Sequence, residues 1–314
     1  MSAHVPTAGQ AHEAGPGSTP AALMAPQQSR RERKDKRSTP LTIALWTCAL
    51  YFLFPLIWLV IASTKNNADL FSTFGLWFGR NFSLMENLET VFTTQDGIYV
   101  RWMLNTAVYA GVSGIGAALL ATMAGYAFAK YQFPGGTLLF SIVLGAIMVP
   151  LTALAIPTYL LFSNFGITNT PWAIILPSLV SPFGVFLMRV YAADAIPNGL
   201  IEAARIDGAG EFRIFWQVAL RLLAPGIVTV FLFALVATWN NYFLPLIMLN
   251  SPELFPLTVG LAQQQAASAA GGGAQALFST VITGSLVSIL PLIAAFLYLQ
   301  KYWQSGLATG GIKA

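Results

Sequence analysis

Charge is what this sequence lacks most. Asp, Glu, Lys and Arg make up 9% of its 314 residues, where a soluble globular chain carries about 25%. Apolar residues reach 56%, and mean hydropathy is +0.65. That balance excludes an ordinary soluble enzyme and a disordered polyelectrolyte. Cysteine occurs once, at Cys48, which excludes an internal disulfide framework and a cysteine-built metal site. Cys48 lies inside an apolar run and reads as a small packing residue. The two histidines are His4 and His12, both near the N-terminus. The apolar runs therefore hold no Ser/His/Asp set and no imidazole for acid–base chemistry. A Gly-x-x-x-x-Gly-Lys-[Ser/Thr] phosphate loop is also missing, so no nucleotide site is expected in this chain. No metal or other cofactor is expected either.

What the chain does have is long apolar runs, at about 41–62, 102–129, 138–162, 172–188, 222–249 and 278–299. About 20 apolar residues in helix cross a bilayer's hydrocarbon core, where only helices or closed barrels satisfy the backbone. No charge occurs from Tyr131 to Met188, from Leu222 to Pro252, or from Leu254 to Gln300. The expected fold class is an all-α polytopic membrane protein with six transmembrane helices.

Residues 1–37 are rich in Ala, Pro, Gly, Ser and Gln and end in Arg30-Arg31-Glu32-Arg33-Lys34-Asp35-Lys36-Arg37. They carry too few large apolar groups to offset ordering entropy, so a disordered basic tail is expected, followed by a membrane domain over 38–314. The run Leu41–Ala62 exceeds the 7–15 residues of a signal-peptide core and reads as a retained first span. Thr39 and Pro40 supply an N-cap and an N1 residue for it.

Charge placement sets the expected topology. With the N-terminus inside, 13 Lys and Arg fall on inner segments and 3, namely Lys65, Arg80 and Arg101, on outer ones. The positive-inside rule then places both termini in the cytoplasm. The net charge of +4 becomes a topology signal, and no nucleic-acid partner is needed to explain it. On the outer side, Gln263–Gly273 is a tract of small and amide residues and reads as a flexible loop.

The inner loop 191–221 is polar yet patterned. Leu200, Ile201 and Ala204 recur at helical spacing after Pro197. Asp207-Gly208-Ala209-Gly210 is a break suited to a left-handed helix end. Phe212, Phe215, Trp216 and Ala219 repeat at i, i+3, i+4 and i+7, the pattern of a second amphipathic helix. Two readings fit that pattern alone: a docking surface for a soluble partner, or helices lying among lipid headgroups. In the spans, Ala110, Gly114, Ala118 and Thr122 form a small-residue stripe that suits either a second subunit or packing within the chain. Pro150, Pro157, Pro177, Pro182 and Pro291 interrupt spans, as simple kinks or as broken helices lining a cavity.

Glu202-Ala203-Ala204-Arg205-Ile206-Asp207-Gly208-Ala209 resembles the EAA loop of ABC importer permeases, in which Glu-Ala-Ala is followed after three residues by Gly. Val218 and Leu220 continue the pattern, while Arg221 stands where those permeases have Pro. Other stretches resemble the second membrane subunit of the maltose-type carbohydrate importers. They are Asn105-Thr106, Ala124–Lys130, Val149-Pro150, Ile156–Tyr159, Asn169-Thr170, Trp239-Asn240 with Pro245-Leu246, and Leu299–Trp303 with Gly310–Lys313. The likeness runs from Leu41 to Ala314. Asn241 departs from it, standing where an acidic residue is common.

The resemblance implies a type I ABC importer permease fold in a bacterial cytoplasmic membrane. It implies a dimer of separate ATPase subunits that bind ATP, a second homologous permease, and an extracytoplasmic solute-binding protein. The substrate implied is a sugar of di- or oligosaccharide size; a non-sugar solute is the alternative. By the same resemblance the coupling residues are Glu202, Ala203, Ala204, Asp207, Gly208, Phe212 and Trp216. Glu202 and Asp207 would meet donors on the ATPase, Gly208 would permit the turn, and the alanines would allow close approach. Trp239, Asn240, Asn241 and Tyr242 offer amides and rings suited to a neutral sugar, and Asn105 joins them on the expected substrate path. Asn in a span equally serves as a bond to a neighbouring helix. The spans hold no ionisable group for ion coupling, which argues against a stand-alone secondary transporter.

Overall fold

A computed structural model describes residues 39–270 and 277–310, with side chains to residue 302. The expected tail 1–37, the end of the outer tract at 271–273 and the last residues 311–314 lie outside the described residues. The chain falls into two compact units, residues 1–49 and 50–314. Helix α1 (Thr39–Ser63) begins in the first unit, where Thr47 Oγ1 donates to the Ile43 carbonyl. The core and the sites described below lie in the second.

That unit continues through α2 (Asn67–Ser72), α3 (Leu84–Lys130), α4 (Gly136–Ile147), α5 (Leu151–Asn164), α6 (Trp172–Ser178) and α7 (Pro182–Ala195). Then come α8 (Asn198–Ile206), α9 (Glu211–Ile214), α10 (Leu220–Trp239), α11 (Phe243–Met248), α12 (Leu257–Ala269) and α13 (Phe278–Gly310). No strand occurs among the described residues. Among the described residues, five helical stretches are long and apolar enough to cross a membrane, and six when α4 and α5 are taken as one bent span.

Helix α3 is the spine, packed along α7 and α10. Its first half carries Tyr99, Trp102, Tyr109 and Ala110 into one apolar cluster with Ile174, Leu235, Trp239 and Leu257. Its second half carries Ala118, Ala121 and Tyr126 into another with Met188, Ile201, Phe215 and Leu223. The small-residue stripe explains this closeness. Ala110, Gly114, Ala118 and Thr122 are all buried, and a Cβ on Gly114 would meet the Phe231 ring at 3.1 Å. The stripe is thus filled from within the chain, which decides between its two readings.

Four expected outlines change. The run 138–162 is not one straight helix, because α4 and α5 meet at 104°. Pro150 lacks the N–H to continue a helix and favours extended backbone before it. The run 222–249 breaks after Trp239, and α11 follows after a short turn. The fourth span runs past Met188 to Ala195 and restarts at Pro182, with Ser181 Oγ accepting from Gly184 N at 3.1 Å. Gln263–Ala269, expected as flexible loop, is the C-terminal half of α12. Gln264 and Ser268 face inward there, and Ser268 Oγ accepts from Leu277 N.

At Gly125 the α7 backbone itself stands against α3: a Cβ would lie 2.6 Å from Met188 Cβ and 2.7 Å from Arg189 N. At Gly111 a Cβ meets nothing within 4 Å. Gly125→Ala should therefore push α3 off α7 and cost about 1–3 kcal/mol. Gly111→Ala should be neutral or slightly stabilising, since Ala exceeds Gly in helix propensity by about 1 kcal/mol. Thermal unfolding in detergent checks the contrast: equal melting points for the two variants would refute it.

Candidate functional site: the loop between α7 and α10 and the cavity beside α10

The loop is fixed from two sides. Lys130, the last residue of α3, donates to the Ile196 carbonyl at 2.6 Å and to Asn198 Oδ1 at 3.1 Å. It therefore holds the exit of α7 and the entry of α8. Tyr131, the next residue, donates to Glu211 Oε2 at 2.7 Å, and Arg205 Nε donates to Glu211 Oε1 at 2.6 Å. Glu211 so joins α8, α9 and the end of α3. Burial, then the hydrogen bond to the Glu211 carboxylate, push the Tyr131 phenol well above its ordinary pKa. It stays a neutral donor throughout the physiological range. The same carboxylate raises the Arg205 guanidinium. Both partners of that ion pair are about half exposed, so its worth is under about 1 kcal/mol; its geometry matters more.

Helix α8 ends in a Schellman turn. Gly208 N donates to the Arg205 carbonyl and Ala209 N to the Ala204 carbonyl, each at 3.0 Å. Gly208 takes φ +78°, and a Cβ there would meet nothing within 4 Å. Glycine is thus required for backbone conformation and not for space. Ile201 is buried and Ala204 half-buried, while Glu202, Ala203, Arg205, Ile206 and Asp207 are exposed.

The second amphipathic helix is not a separate one. Glu211–Ile214 runs through a π-helical turn, Phe215–Ala219, straight into α10. Its four apolar positions split: Phe215 and Ala219 are buried, and Phe215 packs on Tyr126 with ring centroids 5.3 Å apart. Phe212 and Trp216 face outward, 5.9 Å apart. Phe212 is 74% exposed and Ile206 86%. The exposed surface of the loop thus carries Ile206, Phe212 and Trp216 together with the acidic side chains Glu202 and Asp207. The sequence reading missed Lys130, Tyr131, Arg205 and Glu211 as the residues that hold this loop. Their pairings cross 6 to 80 residues, which local periodicity does not register.

The second site is a cavity of about 350 Å³ between α10, α12 and α13. Trp239, Asn240 and Tyr242 line it with Thr258, Gln265, Ser285 and Ser288. Asn240 Nδ2 donates to the Val236 carbonyl at 2.9 Å, and Ser285 and Ser288 donate to helix carbonyls. The Asn240 amide oxygen and both serine oxygens keep acceptor capacity. Asn241 is not in the lining; its carbonyl accepts from Thr258 Oγ1 at 2.8 Å. Asn105 lies elsewhere, with Nδ2 donating to the Glu253 and Phe255 carbonyls at 2.7 and 3.0 Å. Its neighbours on α3 do the same work. Trp102 Nε1 donates to the Pro252 carbonyl, Tyr109 to the Leu254 carbonyl, and Thr106 Oγ1 accepts from Leu257 N. Ser285 and Ser288, spaced i and i+3 in a charge-free run, were the one readable signal for the missed lining residues.

Residues 114–302 match the family of binding-protein-dependent transport system inner membrane components. The chain is 34% identical to the arabinooligosaccharides transport system permease protein AraQ of Bacillus subtilis (strain 168), over 87% of this chain and 95% of that one. It is 30% identical to the lactose transport system permease protein LacG of Rhizobium radiobacter, over 84% and 92%. It is 32% identical to the maltodextrin transport system permease protein MdxG of Bacillus subtilis, again over 84% and 92%. Among solved structures, a bacterial ABC transporter involved in import of the acidic polysaccharide alginate contains a chain of the same fold. The TM-score is 0.72 at 23% identity, covering 84% of this chain and 95% of that one. This chain belongs to the family of inner membrane components of binding-protein-dependent transport systems. It is a multi-pass membrane transport subunit and not itself an enzyme.

Removing the Thr106 acceptor should free one end of the cavity wall. Thr106→Val leaves Leu257 N buried without a partner, at a cost of about 1–3 kcal/mol. Faster amide exchange over 252–260 than in the wild type would be the signature; unchanged exchange there would show that the bond is dispensable.

Proposed function

We propose that this chain is the sugar-translocating permease subunit of an ATP-driven importer. In this reading it is driven through the loop of α8 and α9 by a separate ATPase dimer. It pairs with a second, homologous permease and receives substrate from an extracytoplasmic binding protein. Both termini and the coupling loop lie in the cytoplasm, in keeping with the 13 basic residues on that side,.

The observation that carries the coupling role is the exposed group of Ile206, Phe212 and Trp216 beside Glu202 and Asp207 on a loop held rigidly from behind. A headgroup-seated helix would set cations, not carboxylates, around its apolar residues. Here Glu202 and Asp207 are exposed, while Arg205 is turned onto Glu211 and Arg213, also exposed, onto Gln217 Oε1 at 2.9 Å. A docked partner with a groove for aromatic anchors and donors for the acids fits that surface. Movement of the loop passes to α3 through Lys130 and Tyr131. From α3 it passes to the segment 252–257 and so to α12, which walls the cavity.

The neutral character of the cavity supports a neutral, hydroxyl-rich substrate: amide and hydroxyl acceptors with Trp239 and Tyr242 rings, and no charged residue in the lining. Relatives named for arabino-oligosaccharides, lactose and maltodextrin support the same class.

Reconstituting this chain with its copurifying ATPase, second permease and binding protein tests both halves. Phe212→Ala with Trp216→Ala should lower ATPase retention and binding-protein-stimulated ATP hydrolysis by tenfold or more, the scale of losing two interface anchors. Gly208→Asp should do so through the turn. Sugar uptake by this chain in vesicles without any ATPase would instead establish a stand-alone transporter. Asn240→Ala should raise the sugar concentration needed for half-maximal uptake about tenfold, while leaving ATPase retention intact. An unchanged uptake curve would remove Asn240 from the path.

A further inference from the structure

We propose that Arg189, on α7, forms a site for the phosphate of an anionic phospholipid at the end of the bundle that carries the coupling loop. The inference rests on how this one cation is held. Its guanidinium carbon lies 3.8 Å from the centroid of the Phe140 ring of α4. Phe140 is itself flanked by Phe128 at 5.5 Å and by Phe186 at 6.5 Å. The guanidinium is therefore held over an aromatic platform, and its five N–H donors lie along the edges of its own plane.

None of those donors has an acceptor among the described residues, and the single ion pair there is Arg205–Glu211. Other cations at comparable depth are satisfied. Lys65 is buried and donates to Thr73 Oγ1 and the Phe74 carbonyl. Lys130 is half-buried and holds Ile196 and Asn198. Among the described residues, Arg189 is the one cation that is half-buried and without an acceptor. Leaving a cation so is costly unless something outside the chain supplies the oxygen.

Its position selects the supplier. Six residues of helix separate Arg189 from Ala195, the last residue of α7, or about 9 Å at 1.5 Å per residue. An arginine at that depth reaches the phosphate level of a bilayer along its own stem. Phe186 and Val190 on the same helix and Leu139 next to Phe140 on α4 are exposed apolar side chains, a wall that an acyl chain can lie against. Among the described residues no carboxylate pairs with Arg189, the nearest in sequence being the exposed Asp194 five residues on, whereas a choline would place a second cation beside the guanidinium. The charge pattern thus favours an anionic over a zwitterionic lipid.

The test is native mass spectrometry of the full-length chain released from bilayers of equal phosphatidylglycerol and phosphatidylcholine. The wild type should retain phosphatidylglycerol preferentially. Arg189→Gln should cut that preference about fivefold, which corresponds to about 1 kcal/mol for one basic residue near an anionic surface. Arg189→Lys keeps charge without the planar stack and should fall between. Should Arg189→Gln fail to fold, Phe140→Leu and a salt titration of the wild type carry the test. Both should weaken the preference, and a preference indifferent to both would overturn the proposal. Equal retention of the two lipids by the wild type, or unchanged retention in Arg189→Gln, would also overturn it. So would a wild-type chain without lipid preference whose Arg189→Gln variant loses the second permease, since Arg189 would then meet a subunit carboxylate.

Discussion

The structure depends on α3 supplying side-chain partners for backbone that leaves the helices. A carbonyl or amide in a bilayer-depth bundle has no water to turn to, and leaving one bare costs on the order of 1–3 kcal/mol. At one end of α3, Lys130 takes up the Ile196 carbonyl as α7 stops. Nearer its start, Trp102, Asn105, Thr106 and Tyr109 take up the carbonyls and the amide of 252–257, where a single 3₁₀ turn, Pro252–Leu254, leads into α12. Tyr99 adds the Gly284 carbonyl at 2.6 Å, on α13. One helix thus closes both irregular segments next to the two sites.

That arrangement gives the helix mechanical meaning. Between Ile98 and Lys130 it runs unbroken for about 50 Å at 1.5 Å per residue. The only departure from helical backbone lies before it, at Thr94–Gly97, where Gln95, Asp96 and Gly97 all take positive φ. A stiff element bonded at both ends carries displacement without needing a chain of rearranging side chains between sites. In the proposed mechanism α3 would move as a rigid body, the kind of linkage a packed core transmits well.

Much of this was legible in the residues, and the remainder failed for identifiable reasons. Charge-free runs located the spans, since hydrocarbon excludes charge regardless of neighbours. The loop's helix and its stop at Asp207-Gly208 follow from local periodicity and glycine geometry. The burial of Phe215 was not legible, because helical spacing groups it with Phe212 and Trp216 but does not tell which residues the core covers; Tyr126, 89 positions away, decides that. Asn105 carries a typical ligand side chain, yet a carbonyl-rich loop 148 residues on occupies it. Hydropathy gave α4 and α5 as one run because it averages over Pro150, which adds little to the mean but ends the helix.

Gly208 separates two explanations that glycine in a loop usually confounds. A glycine can be demanded by a close neighbour or by its own backbone. At Gly125 the neighbour demands it, since α7 backbone stands within 2.8 Å of any Cβ. At Gly208 the space outside is open, and only the left-handed φ asks for glycine. The Schellman bonds at Gly208 and Ala209 turn the chain so that Glu211 returns to Arg205 and Tyr131. That open side is also where Ile206 and Asp207 stand exposed. A side chain at 208 would therefore act twice, first by straining the turn and then by standing in whatever occupies the space beyond it. Asparagine, which tolerates left-handed backbone better than most residues, relieves the first effect and leaves the second. Comparing Gly208→Asn with Gly208→Asp and Gly208→Ala thus apportions turn geometry and partner contact at one position.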